Sequence, residues 1–76
     1  MQGRRVYPGD EGHLRLAEGD YGWDADGLFQ CRPPGADVGT LDGHTVTEHE
    51  DGTATVEPSI FGPRFHGWLR RGVWTS

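Results

Sequence analysis

The sequence predicts an all-β fold, a small single-domain antiparallel meander or half-open barrel, and three observations carry that expectation. Thirteen Gly and five Pro among 76 residues oppose long helices. Short runs rich in β-branched and aromatic residues recur between glycine-containing turns, the rhythm of antiparallel strands. Leu, Ile, Val and Phe together number only 14, so three Trp, two Tyr and three Phe must fill much of a thin core. At this length there is room for one core and no second.

Residues 1–13 carry Gly3, Pro8, Gly9 and Gly12 and read as an irregular arm. Residues 14–35 form an N-terminal hairpin region. Leu14-Arg15-Leu16 alternates and is expected as a short strand. Tyr21-Gly22-Trp23 and Leu28-Phe29-Gln30-Cys31 flank Asp24-Ala25-Asp26-Gly27, a hairpin signal. Arg32-Pro33-Pro34-Gly35 is a break, because proline cannot donate to a ladder. Ala36 to Gly43 is expected as a loop anchored by Leu41.

Residues 40–76 read as a meander. His44-Thr45-Val46-Thr47-Glu48-His49 faces Thr53-Ala54-Thr55-Val56-Glu57 across Glu50-Asp51-Gly52. A two-residue loop would pair Val46 with Glu57. A three-residue loop with Gly52 left-handed pairs Val46 with Val56 and Glu48 with Ala54, keeping both valines on one face, and is preferred. Next, a Gly62-Pro63 loop would pair Ile60 with Phe65 and Ser59 with His66. An Arg70-Arg71-Gly72 turn would then pair Leu69 with Val73 and Trp68 with Trp74.

The formal charge of −5 is segregated. Residues 10–57 hold all twelve carboxylates against Arg15 and Arg32, whereas the remainder holds Arg4, Arg5, Arg64, Arg70 and Arg71. An acidic balance argues against nucleic acid as a partner, since phosphate binding needs clustered cations, and favours a protein partner. No apolar run is long enough to span a membrane, and no basic-then-apolar leader opens the chain, so a cytoplasmic location is expected. The single Cys31 forms no internal disulfide. Exposed sheet edges offer a route to a homodimer.

Five constellations are weighed for candidate chemistry. Ser59 opposite His66 would bring hydroxyl and imidazole within reach, because directly paired Cβ atoms lie about 4.5–5.5 Å apart. Glu57 and Glu48 are the candidate orienting carboxylates. Cys31, His44 and His49 mimic half of a zinc-finger spacing, but His44 and His49 face opposite sides of a strand, so no metal and no cofactor is expected. Asp24 to Gly27 lacks the later ligands of a calcium loop and reads as a turn. Trp23, Trp68, Trp74, Phe61 and Phe65 are assigned to core packing, and Arg70 and Arg71 to a solvated turn.

The run H-T-V-T-E-H-E-D-G-T-A-T-V-E-P-S-I, followed by H-G-W-L-R-R-G-V-W, resembles a small family of bacterial and actinobacterial-phage proteins without an assigned function. Some members sit beside bacterial ubiquitin-like conjugation genes. The resemblance implies a peptidase, with Ser59 and His66 on the family's Ser and His. Many relatives carry Cys where this chain has Phe65, and a longer loop between the two positions. The expectation is therefore a Ser–His hydrolase of a peptide, amide or ester bond, with a ubiquitin-like tail as substrate. The alternative is a non-catalytic phage protein, either a minor virion component or an inhibitor of a host protein.

Overall fold

The computed structural model describes residues 1–76 as eight strands without a helix. One sheet has the order β1 (Arg4–Arg5), β2 (Asp20–Trp23), β3 (Phe29–Cys31), β4 (Gly39–Thr40). The other has the order β5 (Thr45–Glu48), β6 (Ala54–Phe61), β7 (His66–Arg70), β8 (Val73–Thr75). The fold is all-β as expected and the second sheet is a meander, but the two sheets do not close into a barrel. No helix is long and apolar enough to cross a membrane.

One apolar cluster joins the sheets. Tyr21, Phe29 and Cys31 meet Ala54, Val56, Ile60, Leu69 and Trp74, with Trp23, Leu41, Val46 and Phe65 against them. Strand alternation does the sorting: Ala54 and Val56 on β6, and Gly67 and Leu69 on β7, face inward. Trp74 adds a polar tie, its Nε1 donating to the Gly19 carbonyl at 2.9 Å.

The β5–β6 hairpin has the expected register, Val46 opposite Val56 and Glu48 opposite Ala54. His49 N–H donates to the Thr53 carbonyl at 2.9 Å, closing a three-residue loop with Gly52 at φ 86°. The β2–β3 hairpin also forms, and Leu41 packs half-buried against the core.

Several expectations need correction. The arm is not irregular throughout: Arg4 and Arg5 pair parallel with Asp20 and Tyr21, and Gln2 bridges Val73. The arm runs so close over β2 that a Cβ at Gly22 would fall 2.2 Å from the Val6 carbonyl oxygen. Leu14-Arg15-Leu16 keeps its alternation of half-buried leucines about an exposed arginine, yet forms no strand. Its natural partner edge on β2 is already taken by β1. The 36–43 loop contains a short strand, Gly39–Thr40, on the edge of β3.

Two registers differ from expectation, each for a reason in turn chemistry. Arg71 and Gly72 both have positive φ, 46° and 77°, which makes a two-residue loop of the kind whose twist suits a hairpin. Leu69 therefore pairs with Trp74 and Trp68 with Thr75, so the two tryptophans face opposite sides of the sheet. In the β6–β7 hairpin, Gly62 N–H donates to the Phe65 carbonyl at 2.8 Å, centring the bend on Pro63-Arg64. That puts proline second in the turn, where its fixed φ fits, and not third, where it is disfavoured. Farther from the bend, Val56 still pairs with Leu69, the expected register. Between Val56 and Ile60 the register shifts, so β6 carries two extra residues. Pro58 lies in that bulge, where its missing N–H costs no ladder bond.

Candidate functional site

The shifted register decides what His66 faces. His66 pairs with Phe61, and Ile60 with Gly67. The direct Ser59–His66 pairing expected from the sequence is not formed. Ile60 points inward and Phe61 outward, so alternation puts Ser59 on the outward side, diagonal to His66. Diagonal neighbours lie about 7–8 Å apart, longer than a hydrogen bond allows without a shift. The His66 ring packs instead edge-on against Phe61, centroids 5.0 Å apart, and near Trp68 at 6.0 Å.

The two candidate orienting carboxylates are placed elsewhere. Glu48 is ion-paired with Arg5. Glu57 is exposed opposite Thr45, across the β5–β6 pair. The neighbour of Ser59 is His44, whose Nε2 lies 3.3 Å from the Ser59 carbonyl oxygen while its Nδ1 lies 3.3 Å from that of Asp42.

The other candidates resolve into structural roles. Cys31 is sealed in the core, and burial pushes its thiol up to about 12. His44 and His49 flank opposite ends of β5, so the zinc-like spacing does not converge. His49 Nε2 lies 2.7 Å from Thr55 Oγ1, which also accepts the Arg71 N–H at 3.0 Å. Asp24 caps its own turn, accepting the N–H groups of Asp26 and Leu28 at 2.9 and 3.0 Å. Asp20 is buried and holds Arg4 by two hydrogen bonds, 3.2 and 2.9 Å. Burial pushes its carboxyl up, but the Arg4 hydrogen bond, the Ala17 amide and the Arg4 charge outweigh this and leave it below the ordinary value.

What the outward face of β6 and β7 does assemble is a row of rings ending in a cation. Phe61, 79% exposed, abuts His66; Trp68 follows; and the Arg70 guanidinium lies over the Trp68 ring at 5.0 Å. Arg64 is exposed at the hairpin tip beyond Phe61. Core assignment holds for Trp74, Trp23 and Phe65, and fails for Phe61, which is open to solvent, and for Trp68, which is half-buried on the outward face and outside the core cluster. The signal was available in sequence: His66, Trp68 and Arg70 alternate along β7 with Gly67 and Leu69.

Phe61 is also one lip of a cleft of about 320 Å³ between the hairpin tip and the 33–41 segment. Cys31, Leu41, Ile60 and Phe65 line its apolar part, and exposed Val38 stands at the opposite lip. Asp37 and Arg64 also line it. Comparison with protein-family models, with curated proteins and with solved structures finds no match to this chain.

Proposed function

We propose that the protein is a non-catalytic binding module that holds a protein partner on the outward face of β6 and β7. The observation that carries this reading is the outward row of exposed Phe61, His66 and Arg70 with half-buried Trp68 among them. Burial normally claims large rings in a chain this poor in aliphatics, so rings left outside are available for another task. Aromatic and arginine side chains are the types that dominate protein–protein hot spots, because they bury much area with few rotors. The setting proposed is the cytoplasm of a bacterial or phage-infected cell, or the virion.

The test uses three forms of the full chain as bait: wild type, Trp68→Ala and Ser59→Ala. A partner identified with wild type is purified and titrated against each. Retention by Ser59→Ala with a loss of tenfold or more by Trp68→Ala supports the reading. Equal binding by all three forms overturns it.

A second reading is the Ser–His hydrolase. Its support is the shared outward side of Ser59 and His66 together with the family resemblance, which also supplies the ubiquitin-like tail as substrate. Ser59 Oγ would add to the substrate carbonyl carbon while its proton passes to His66 and on to the leaving amine; water would then release the acyl group. Labelling of wild type, but not Ser59→Ala, by a fluorophosphonate would favour this reading over the first. Equal absence of labelling would count against it.

A further inference from the structure

The outward row and the cleft are continuous, because Phe61 belongs to both. Resting on the binding reading above, we infer that the partner presents an acidic segment with one bulky apolar side chain. That side chain enters the cleft between Phe61 and Val38, and the following carboxylates lie along the row toward Arg64 and Arg70.

Three observations choose this occupant. The first is the cleft itself, whose volume of about 320 Å³ exceeds what a single side chain needs. Its apolar lining from Leu41, Ile60 and Phe65 rewards a leucine or an aromatic ring, while Arg64 and Asp37 supply the charged part of the lining. The second is charge. Residues 58–76 carry Arg64, Arg70 and Arg71 and no Asp or Glu, although the chain as a whole is −5. The row therefore has a cation near each end and only rings between them. Carboxylates around this surface include Glu57 on β6 and Asp37 in the cleft lining, and Glu48, Glu50 and Asp51 share a pocket with Arg71. The third is exposure: Val38 is 51% and Phe61 79% exposed, so both lips are bare and a guest covers them without first displacing a packed side chain.

A single-stranded nucleic acid is the competing occupant, since bases stack on rings and phosphates meet arginines. It accounts for the row but not for the apolar cleft at its end. The net charge of −5 on the whole chain disfavours a long polyanion that runs beyond the row more than a short acidic segment that reaches only its two cationic ends.

The experiment measures fluorescence anisotropy of labelled peptides on the full-length protein at low salt. The peptides carry phenylalanine, leucine or tryptophan followed within two residues by three aspartates; controls replace the apolar residue with glycine or the aspartates with asparagine. A fifteen-residue thymidine oligonucleotide is the competing probe. The expected result is saturable binding of at least one apolar-anchored acidic peptide. Each control peptide should then bind at least fivefold more weakly, as should wild-type-like folded variants Val38→Ser and Arg70→Gln. If Trp68→Ala weakens binding but Val38→Ser and the glycine control do not, the cleft assignment falls and the binding reading stands. If no peptide binds at 1 mM, or the oligonucleotide binds more tightly and displaces the peptide, the acidic-segment inference is overturned. If Trp68→Ala leaves peptide binding unchanged, the row is not the surface and the binding reading itself fails.

Discussion

The inward and outward sides of the β6–β8 meander are built from the same residue types and treat them in opposite ways. Inward, Val56, Leu69 and Trp74 are sealed, Trp74 at 2% exposure and tied by its indole N–H to Gly19. Outward, Phe61 and His66 are exposed and meet edge to face, while Trp68 is half-buried beside His66 with the Arg70 guanidinium over its ring. The difference teaches that ring content does not report core content in this chain. A protein with few aliphatics leaves Phe61 79% exposed and Trp68 only half-buried on this side, the feature on which the proposed binding role rests.

The largest expected effects lie on the inward side. Leu69→Ala and Trp74→Ala should each cost about 3–5 kcal/mol in denaturant titration, enough to leave so small a domain largely unfolded. Effects below 1 kcal/mol would erase the contrast between the two sides. Gly22→Ala should be comparably severe, about 3 kcal/mol or more, because the Cβ meets a backbone carbonyl and not a movable side chain. A stable Gly22→Ala protein would mean that the arm does not run over β2.

An intermediate effect concerns pH. The Asp20 carboxyl lies below its ordinary value of 3.8 when folded, so ionised Asp20 favours the native state. That contribution is fully present above about pH 4 and is lost as pH falls through the lower folded value. Wild type should therefore lose stability on acidification below pH 4, and Asp20→Asn should lose less over the same range. Equal acid sensitivity of both would remove Asp20 from the explanation. A smaller signal is chemical. The Cys31 thiol, buried and raised to about 12, should resist a disulfide-exchange reagent at pH 8 in the native protein and react at once in denaturant. Rapid native labelling would show that the core opens beside the cleft. Smallest of all, Phe61→Ser should change stability by no more than about 0.5 kcal/mol, as expected for an exposed site.

The strands were legible wherever turn chemistry and face alternation agreed. Gly52 with two valines at matching offsets was enough to set the β5–β6 register. The β6–β7 register depended on where Pro63 sits within its turn and on the bulge at Pro58. Hydrophobic alternation does not reveal either, because a shift of two residues keeps every side chain on its original face. The same blindness hid the site. Sliding His66 from Ser59 to Phe61 leaves the sequence pattern intact and replaces a candidate hydrogen-bonded dyad by a ring contact. The β7–β8 error was the opposite kind. One position of slip moved Trp74 inward, away from Trp68, and the cue was an Arg-Gly pair able to hold two positive φ values. The cleft depended on contacts between residues near 38 and near 61, a separation that local periodicity does not report.

The most direct test is a thermal melt of Trp68→Ala beside Trp74→Ala, with partner binding measured on the first. A recognition role for the outward row predicts that Trp68→Ala melts within about 8 °C of wild type, the shift that corresponds to roughly 1 kcal/mol in a domain of this size, while its binding falls at least tenfold. A Trp68→Ala protein that melts as low as Trp74→Ala, or that binds its partner as wild type does, would contradict it.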